Sequence, residues 1–112
     1  MIGNGKHPVR FDVYLANLNP TVGSEIKKRR PCVIISPDNM NRSLKTVIIA
    51  PMTSKGFDYP ARVKIQFNDK TSLILLDQIR TVDKSRLGKY CGAITYREAQ
   101  QVINQLQKMF AE

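Results

Sequence analysis

The sequence predicts a mainly β chain of the α+β type, a small and strongly curved antiparallel sheet or barrel with one amphipathic helix at its carboxyl end. Short apolar runs follow one another at close spacing, two loops rich in Gly and Pro interrupt them, and only the last stretch changes from strand-like alternation to helical spacing. A chain of 112 residues suits one domain and can bury about two-thirds of its unfolded surface, enough to fold alone. Residues 1–9 read as a flexible tail and 10–112 as the single domain.

The first strand is predicted over 11–18, with Phe11, Val13 and Leu15 on one face and Tyr14, Ala16 and Leu18 on the other. Asn19-Pro20-Thr21-Val22-Gly23-Ser24-Glu25-Ile26 opens a turn-rich loop that ends in four consecutive cations, Lys27, Lys28, Arg29 and Arg30. Pro31 closes the loop, fixing its own φ and pushing Arg30 towards extended backbone, so a stiff strand edge aims the Arg30 side chain. Cys32-Val33-Ile34-Ile35 does not alternate, as suits a strand buried on both faces, and Pro37 and Asn39 stop it.

Thr46-Val47-Ile48-Ile49-Ala50-Pro51-Met52-Thr53 is β-branched through its first half. Pro51 then removes a ladder donor, which predicts a bulge or edge and leaves Thr53 where pairing breaks. The second loop, 54–60, carries Phe57 and Tyr59 among polar residues. Strand pattern resumes at 62–67, turns at Asn68-Asp69-Lys70 and returns over 72–76. Residues 77–82 continue or kink that strand, 83–86 turn, and 89–94 form the last strand. Thr95 and Glu98 fit a capping box, and Ala99, Val102, Ile103, Leu106, Met109 and Phe110 make the apolar stripe of the helix.

The balance of 18 Lys and Arg against 9 Asp and Glu gives a net charge of +9. That calls for a polyanionic or acidic partner, nucleic acid first, or an acidic protein that covers the basic surface. A loop with one carboxylate and four cations between two apolar strands is placed as active-site loops are, although a solvated charged loop has the same composition. No apolar run reaches the length of a membrane span and the first residues lack the apolar core of a signal peptide, so the expectation is a cytoplasmic protein with no membrane partner. Cys32 and Cys91 lie far apart and outside any Cys-x-x-Cys pair, which predicts two reduced thiols. Gly3-Asn4-Gly5-Lys6 fails as a phosphate loop on spacing and on the missing Ser or Thr after the Lys. With a single His and scattered carboxylates, neither a metal nor another cofactor is expected.

Taken together, Asp12-Val13-Tyr14, Leu18-Asn19-Pro20, Gly23-Ser24-Glu25, Arg30-Pro31, Pro51-Met52-Thr53-Ser54 and Asp77-Gln78-Ile79-Arg80-Thr81-Val82-Asp83 resemble the MazF/PemK (Kid-like) toxins of toxin-antitoxin systems. The likeness runs over about 9–110, nearly the whole chain. It implies an SH3-like barrel with a C-terminal helix, in a homodimer whose RNA groove crosses the subunit interface. It also implies a sequence-selective, metal-independent endoribonuclease that cuts single-stranded mRNA, leaving 2′,3′-cyclic phosphate and 5′-OH ends, and that is neutralised by an acidic cognate antitoxin. The family's catalytic pair falls on Arg30 and Thr53, with Glu25 as an auxiliary group. Departures also stand out. Phe11 occupies a place where many relatives have Gly, and Ser24 and Leu75 replace the His and Arg of the Kid-like branch, so a mechanism built on those two groups does not carry over.

RNA cleavage without metal requires a proton to leave the 2′-OH, charge on the phosphate to be stabilised and the 5′ oxygen to be protonated. The guanidinium of Arg30 suits the phosphate and, with its high pKa, is a poor proton donor at neutral pH. Thr53 suits a hydrogen bond to the scissile phosphate or the 2′-OH. Glu25 has two readings, a base if desolvated or a partner that holds Arg30. Ser24, Lys27, Lys28, Arg29, Ser54 and Lys55 are expected RNA contacts, Phe57 and Tyr59 candidate stacking platforms or core caps, and Asp77 and Gln78 base-edge readers or turn-formers. Two rivals are a CcdB-like gyrase poison without nuclease activity and a non-catalytic RNA-binding barrel.

Overall fold

The computed structural model describes residues 7–111. Among them, seven strands and two helices follow in the order β1 (Asp12–Asn17), β2 (Arg29–Ile34), α1 (Asp38–Ser43), β3 (Thr46–Thr53), β4 (Arg62–Phe67), β5 (Lys70–Leu75), β6 (Arg80–Asp83), β7 (Leu87–Ala93) and α2 (Tyr96–Phe110). All pairings are antiparallel, in the order β4-β5-β3-β2-β1-β7, with β6 also on β3. The sheet curls into a half-barrel and α2 packs against it, as the sequence predicts.

β3 is the hub. One edge meets β2 through Cys32–Pro51, Val33–Ala50 and Ile34–Ile49. The other edge meets β6 along Thr46 to Ile49 and β5 at Met52 and Thr53. A strand with neighbours on both edges and apolar contacts on both faces has no polar side to show, which is why its sequence does not alternate. Two clusters result. On one face Val13, Val33, Ala50 and Met52 pack with Ile65, Ile74, Leu76 and the α2 residues Ala99 and Val102. On the other, Tyr14, Ala16, Cys32, Ile34, Ile49 and Val82 pack under Leu18 and Ile26 of the first loop.

α2 begins at the expected capping box: Glu98 N donates to Thr95 Oγ1 at 3.1 Å and Thr95 N to Glu98 Oε1 at 2.9 Å. Asn68 and Asp69, with φ of 50° and 64°, make the two-residue turn of the β4–β5 hairpin, which starts β5 at Lys70 rather than Ser72. The stretch after β5 kinks, through a 3₁₀ turn at Leu76–Gln78, before β6.

Other boundaries differ from expectation. β2 starts at Arg29, because Arg29 and Arg30 pair with Asn17 and Ala16 of β1. The Pro37 stop leads into α1, whose buried Asn41 exchanges hydrogen bonds with Ser36. Pro51 does end the β2 ladder, but Thr53 still pairs with Leu73 of β5, so pairing changes partner there instead of breaking. Of the tail expected over 1–9, residues 1–6 lie outside the described residues, while Pro8 is buried and Val9 N donates to Asp12 Oδ2 at 3.1 Å. Phe11 has φ +73°, a conformation that glycine adopts more readily, and is held by Phe11 N to Ile34 O and Ile94 N to Phe11 O.

Candidate active site

The first loop is closed at its base, where Leu18 N donates to Lys28 O at 3.1 Å and Lys28 N to Asn19 Oδ1 at 3.2 Å. At its tip Glu25 N donates to Val22 O, and Val22 N donates back to Glu25 Oε1. Gly23, at φ +57°, supplies the left-handed residue that this tight reciprocal turn needs. The next amide, Ile26 N, donates to Gln78 Oε1 at 2.7 Å and fixes the loop to the turn before β6.

Between that loop and turn lies a cleft of about 410 Å³, lined by Ser24, Glu25, Pro51, Asp77, Gln78 and Arg80 among others. Arg30 and Thr53 are not in its lining. Each stands two residues beyond the last β2–β3 pair, Cys32–Pro51, and Pro51 is part of the cleft wall. Two residues along a strand restore the same face, so Arg30 and Thr53 share the Cys32–Pro51 face at the same end of the ladder, roughly 7 Å along the strand from that pair.

Arg30 is half-buried, and its Nε donates to Lys27 O at 2.8 Å. Its two terminal amino groups have no hydrogen-bond or ion-pair partner among the described residues. Glu25 forms no ion pair with Arg30 there either: one carboxylate oxygen serves the Val22 amide and the Lys27 carbonyl does the holding. Thr53, half-buried, accepts from Lys55 N at 3.1 Å through Oγ1.

The other expected residues divide into two groups. Ser24, Lys27, Lys28 and Arg29 are exposed on the first loop, and Arg29, of opposite parity to Arg30, reaches towards Gly88 of β7. Ser54, Lys55, Phe57 and Tyr59 are exposed on the second loop. Asp77 is engaged by Arg62, whose Nε and Nη2 reach Oδ1 and Oδ2 at 3.2 and 3.1 Å. Gln78 uses its carbonyl on Ile26 and is part of the cleft lining.

Arg80 was given no role by sequence reasoning. It pairs with Ile49, lines the cleft and donates from Nη1 to Leu18 O at 3.0 Å. Its signal was parity: it shares a face with buried Val82, so the inward face of β6 carries an arginine. Arg80 and Arg30 both lie close enough to Cys32 to pull its thiol pKa down, yet burial dominates and pushes it up to about 12. At neutral pH that buried thiol keeps its proton. Both cysteines are free, and among the described residues no group of three or more His, Cys, Asp or Glu is placed to hold a metal ion.

Residues 9–110 match the family model described as PemK-like, MazF-like toxin of type II toxin-antitoxin system. The chain is 42% identical over 101 residues to the endoribonuclease MazF of Staphylococcus saprophyticus, covering 85% of this chain and 84% of that protein. Its fold is similar to crystalline MazF from Deinococcus radiodurans, with a TM-score of 0.84 at 23% identity over 96% of this chain and 100% of that one. It is also similar to a mycobacterial endoribonuclease solved in complex with its cognate antitoxin, with a TM-score of 0.77 at 25% identity over 90% and 92% of the two chains.

Proposed function

This chain belongs to the PemK-like, MazF-like toxins of type II toxin-antitoxin systems, and from that premise we propose that it is an endoribonuclease that cuts single-stranded mRNA at chosen sequences without a metal ion. Arg30 stabilises the charge that builds on the scissile phosphate, using the terminal amino groups that no protein group occupies among the described residues. Thr53 orients the 2′-hydroxyl or the phosphate from the facing strand. Glu25, exposed in the free protein, takes the 2′ proton with the carboxylate oxygen not engaged by Val22, bound RNA supplying the desolvation that a base needs. The 2′ oxygen bonds to phosphorus, the bond to the 5′ oxygen breaks, and that oxygen takes a proton from solvent, leaving a 2′,3′-cyclic phosphate and a 5′-hydroxyl.

The observation that carries this reading is the position of Arg30 and Thr53 on one face at one end of the β2–β3 ladder, beside the cleft that holds Glu25. The basic loop and the net charge of +9 support RNA as the polyanion. In the cell the protein works as a cytoplasmic homodimer, silenced by an acidic antitoxin that covers the same basic surface.

The test is to incubate the purified protein with mixed RNA in EDTA and map the ends. Cleavage with cyclic phosphate and 5′-hydroxyl termini is expected; intact RNA together with gyrase trapped on DNA would replace this reading with that of a gyrase poison.

A further inference from the structure

Arg62, the first residue of β4, joins the second loop to the turn that lines the cleft. Its bidentate pair with Asp77 fixes the guanidinium plane, and its Nη1 lies 3.4 Å from the Phe57 carbonyl oxygen. The guanidinium carbon stands 4.7 Å from the centroid of the Phe57 ring. Gly56 supplies the φ of +126° at which the loop turns beside this group, and a Cβ there would stand in ordinary contact, 3.6 Å from Arg62 Nη1 and 3.8 Å from Thr53 Cγ2. The cation is therefore inserted among the loop, the end of β3 and the Asp77 turn.

Two consequences follow from its surroundings. The Arg62 side chain is only 14% exposed and its charge is balanced by Asp77, so it is poorly suited to bind a phosphate itself. Phe57, with one face over this cation, remains 67% exposed, so a large apolar ring held on one side is left open on the other. Asp77 is followed by Gln78, which holds Ile26, so one line of contacts runs from the second loop to the first.

We infer that Arg62 is a positioning residue: it clamps loop 54–60 to the Asp77-Gln78 turn and backs one face of Phe57, leaving the other face as a stacking platform for an unpaired base. The inference rests on the nuclease reading above. A loop ordered before RNA arrives carries no ordering cost at binding, and stacking on a fixed ring tolerates any base while discriminating against a paired one. Arg62 therefore governs RNA affinity and not the rate of the bond-breaking step.

The experiment compares wild type, R62A, R62K, F57A and R62A/F57A on one defined single-stranded RNA, with hydrogen exchange of the free proteins. R62A is expected to raise KM about tenfold, the scale of one lost base-stacking contact, with kcat within about twofold. R62K recovers little, because an ammonium cannot reproduce the two-pronged pair with Asp77. The double variant is no worse than F57A alone, since both changes remove one platform. Exchange at the Lys55 and Arg62 amides, bonded to Thr53 Oγ1 and Tyr59 O, speeds up in R62A and not in F57A.

An unchanged KM, KM effects that multiply in the double variant, or unaltered exchange would overturn the inference while leaving wild-type cleavage standing. A wild type that neither binds nor cuts RNA would instead remove the nuclease reading and the platform with it, and exchange would still judge the clamp.

Discussion

The Ile26 amide donates to Gln78 Oε1 at 2.7 Å, joining two stretches 52 positions apart and holding Glu25, the neighbouring residue, against the cleft. Removing the acceptor in Q78A leaves that amide unpaired and should cost about 1 kcal/mol of stability and about tenfold in cleavage. Q78E keeps the carbonyl-type acceptor but loses the amide donor. It also adds a negative charge to a cleft that already holds Glu25 and Asp77, so it should keep the stability while lowering cleavage of the polyanionic RNA. Denaturation curves beside cleavage rates decide; Q78A indistinguishable from wild type in both would show that the bond does not position the loop.

Lys27, Lys28 and Arg29 are exposed and, unlike Arg30, stand outside the proposed chemistry. Replacing all three by alanine should lower RNA affinity at low salt. The slope of log affinity against log salt should become shallower by about 2, at roughly 0.7 per lost phosphate contact with a single strand. A salt titration of binding reads this directly, and an unchanged slope would show that the three cations do not touch the backbone.

Thr95 caps α2 at a distance from the cleft, and α2 supplies Ala99 and Val102 to the core. T95A should cost about 1 kcal/mol, seen as a fall of roughly 4–8 °C in Tm, with cleavage at 25 °C unaltered. Thermal melts paired with activity separate this stability effect from a catalytic one.

Burial pushes the Cys32 thiol from 9.0 up to about 12, against the opposing pull of Arg80 and Arg30. The unfolded chain ionises this thiol near pH 9 and the folded protein does not, so its stabilising contribution is whole below pH 9 and is lost as pH rises from about 9 to about 12. Burial also raises the Tyr14 hydroxyl from 10.0, which adds loss of the same sign at higher pH. Urea denaturation between pH 8 and about 11 should therefore show falling stability, and the decline should be flatter in C32A. Parallel declines in the two proteins would mean that Cys32 is not the group responsible.

The strands were legible because both faces of β2 and β3 are buried, so their apolar runs are unbroken, and β4 shows the alternation of a strand with one wet face. The helix was legible from Thr95, Glu98 and the stripe that follows. Arg30 and Thr53 stood out locally, beside Pro31 and Pro51, but their joint role with Glu25 and Gln78 came only through a motif, since nothing local in the sequence brings positions 25 and 78 together. Arg62 went unseen for a related reason: at the start of an alternating strand it reads as a solvent-facing cation, and only the chain reversal at 76–78 brings Asp77 to it. The engagement of Asp77 by Arg62 was hidden in the same way, whereas the inward turn of Arg80 left a signal in its parity with Val82.

The most direct measurement is the single-turnover cleavage rate of R30A against wild type on one saturating RNA in EDTA, with Tm recorded for both. A guanidinium that meets the charge developing on phosphorus should be worth on the order of 3 kcal/mol, so R30A is expected to be slower by about a hundredfold or more while folding and RNA binding persist. A rate within about threefold of wild type, in a folded and RNA-bound variant, would contradict the assignment of Arg30 to the reacting phosphate.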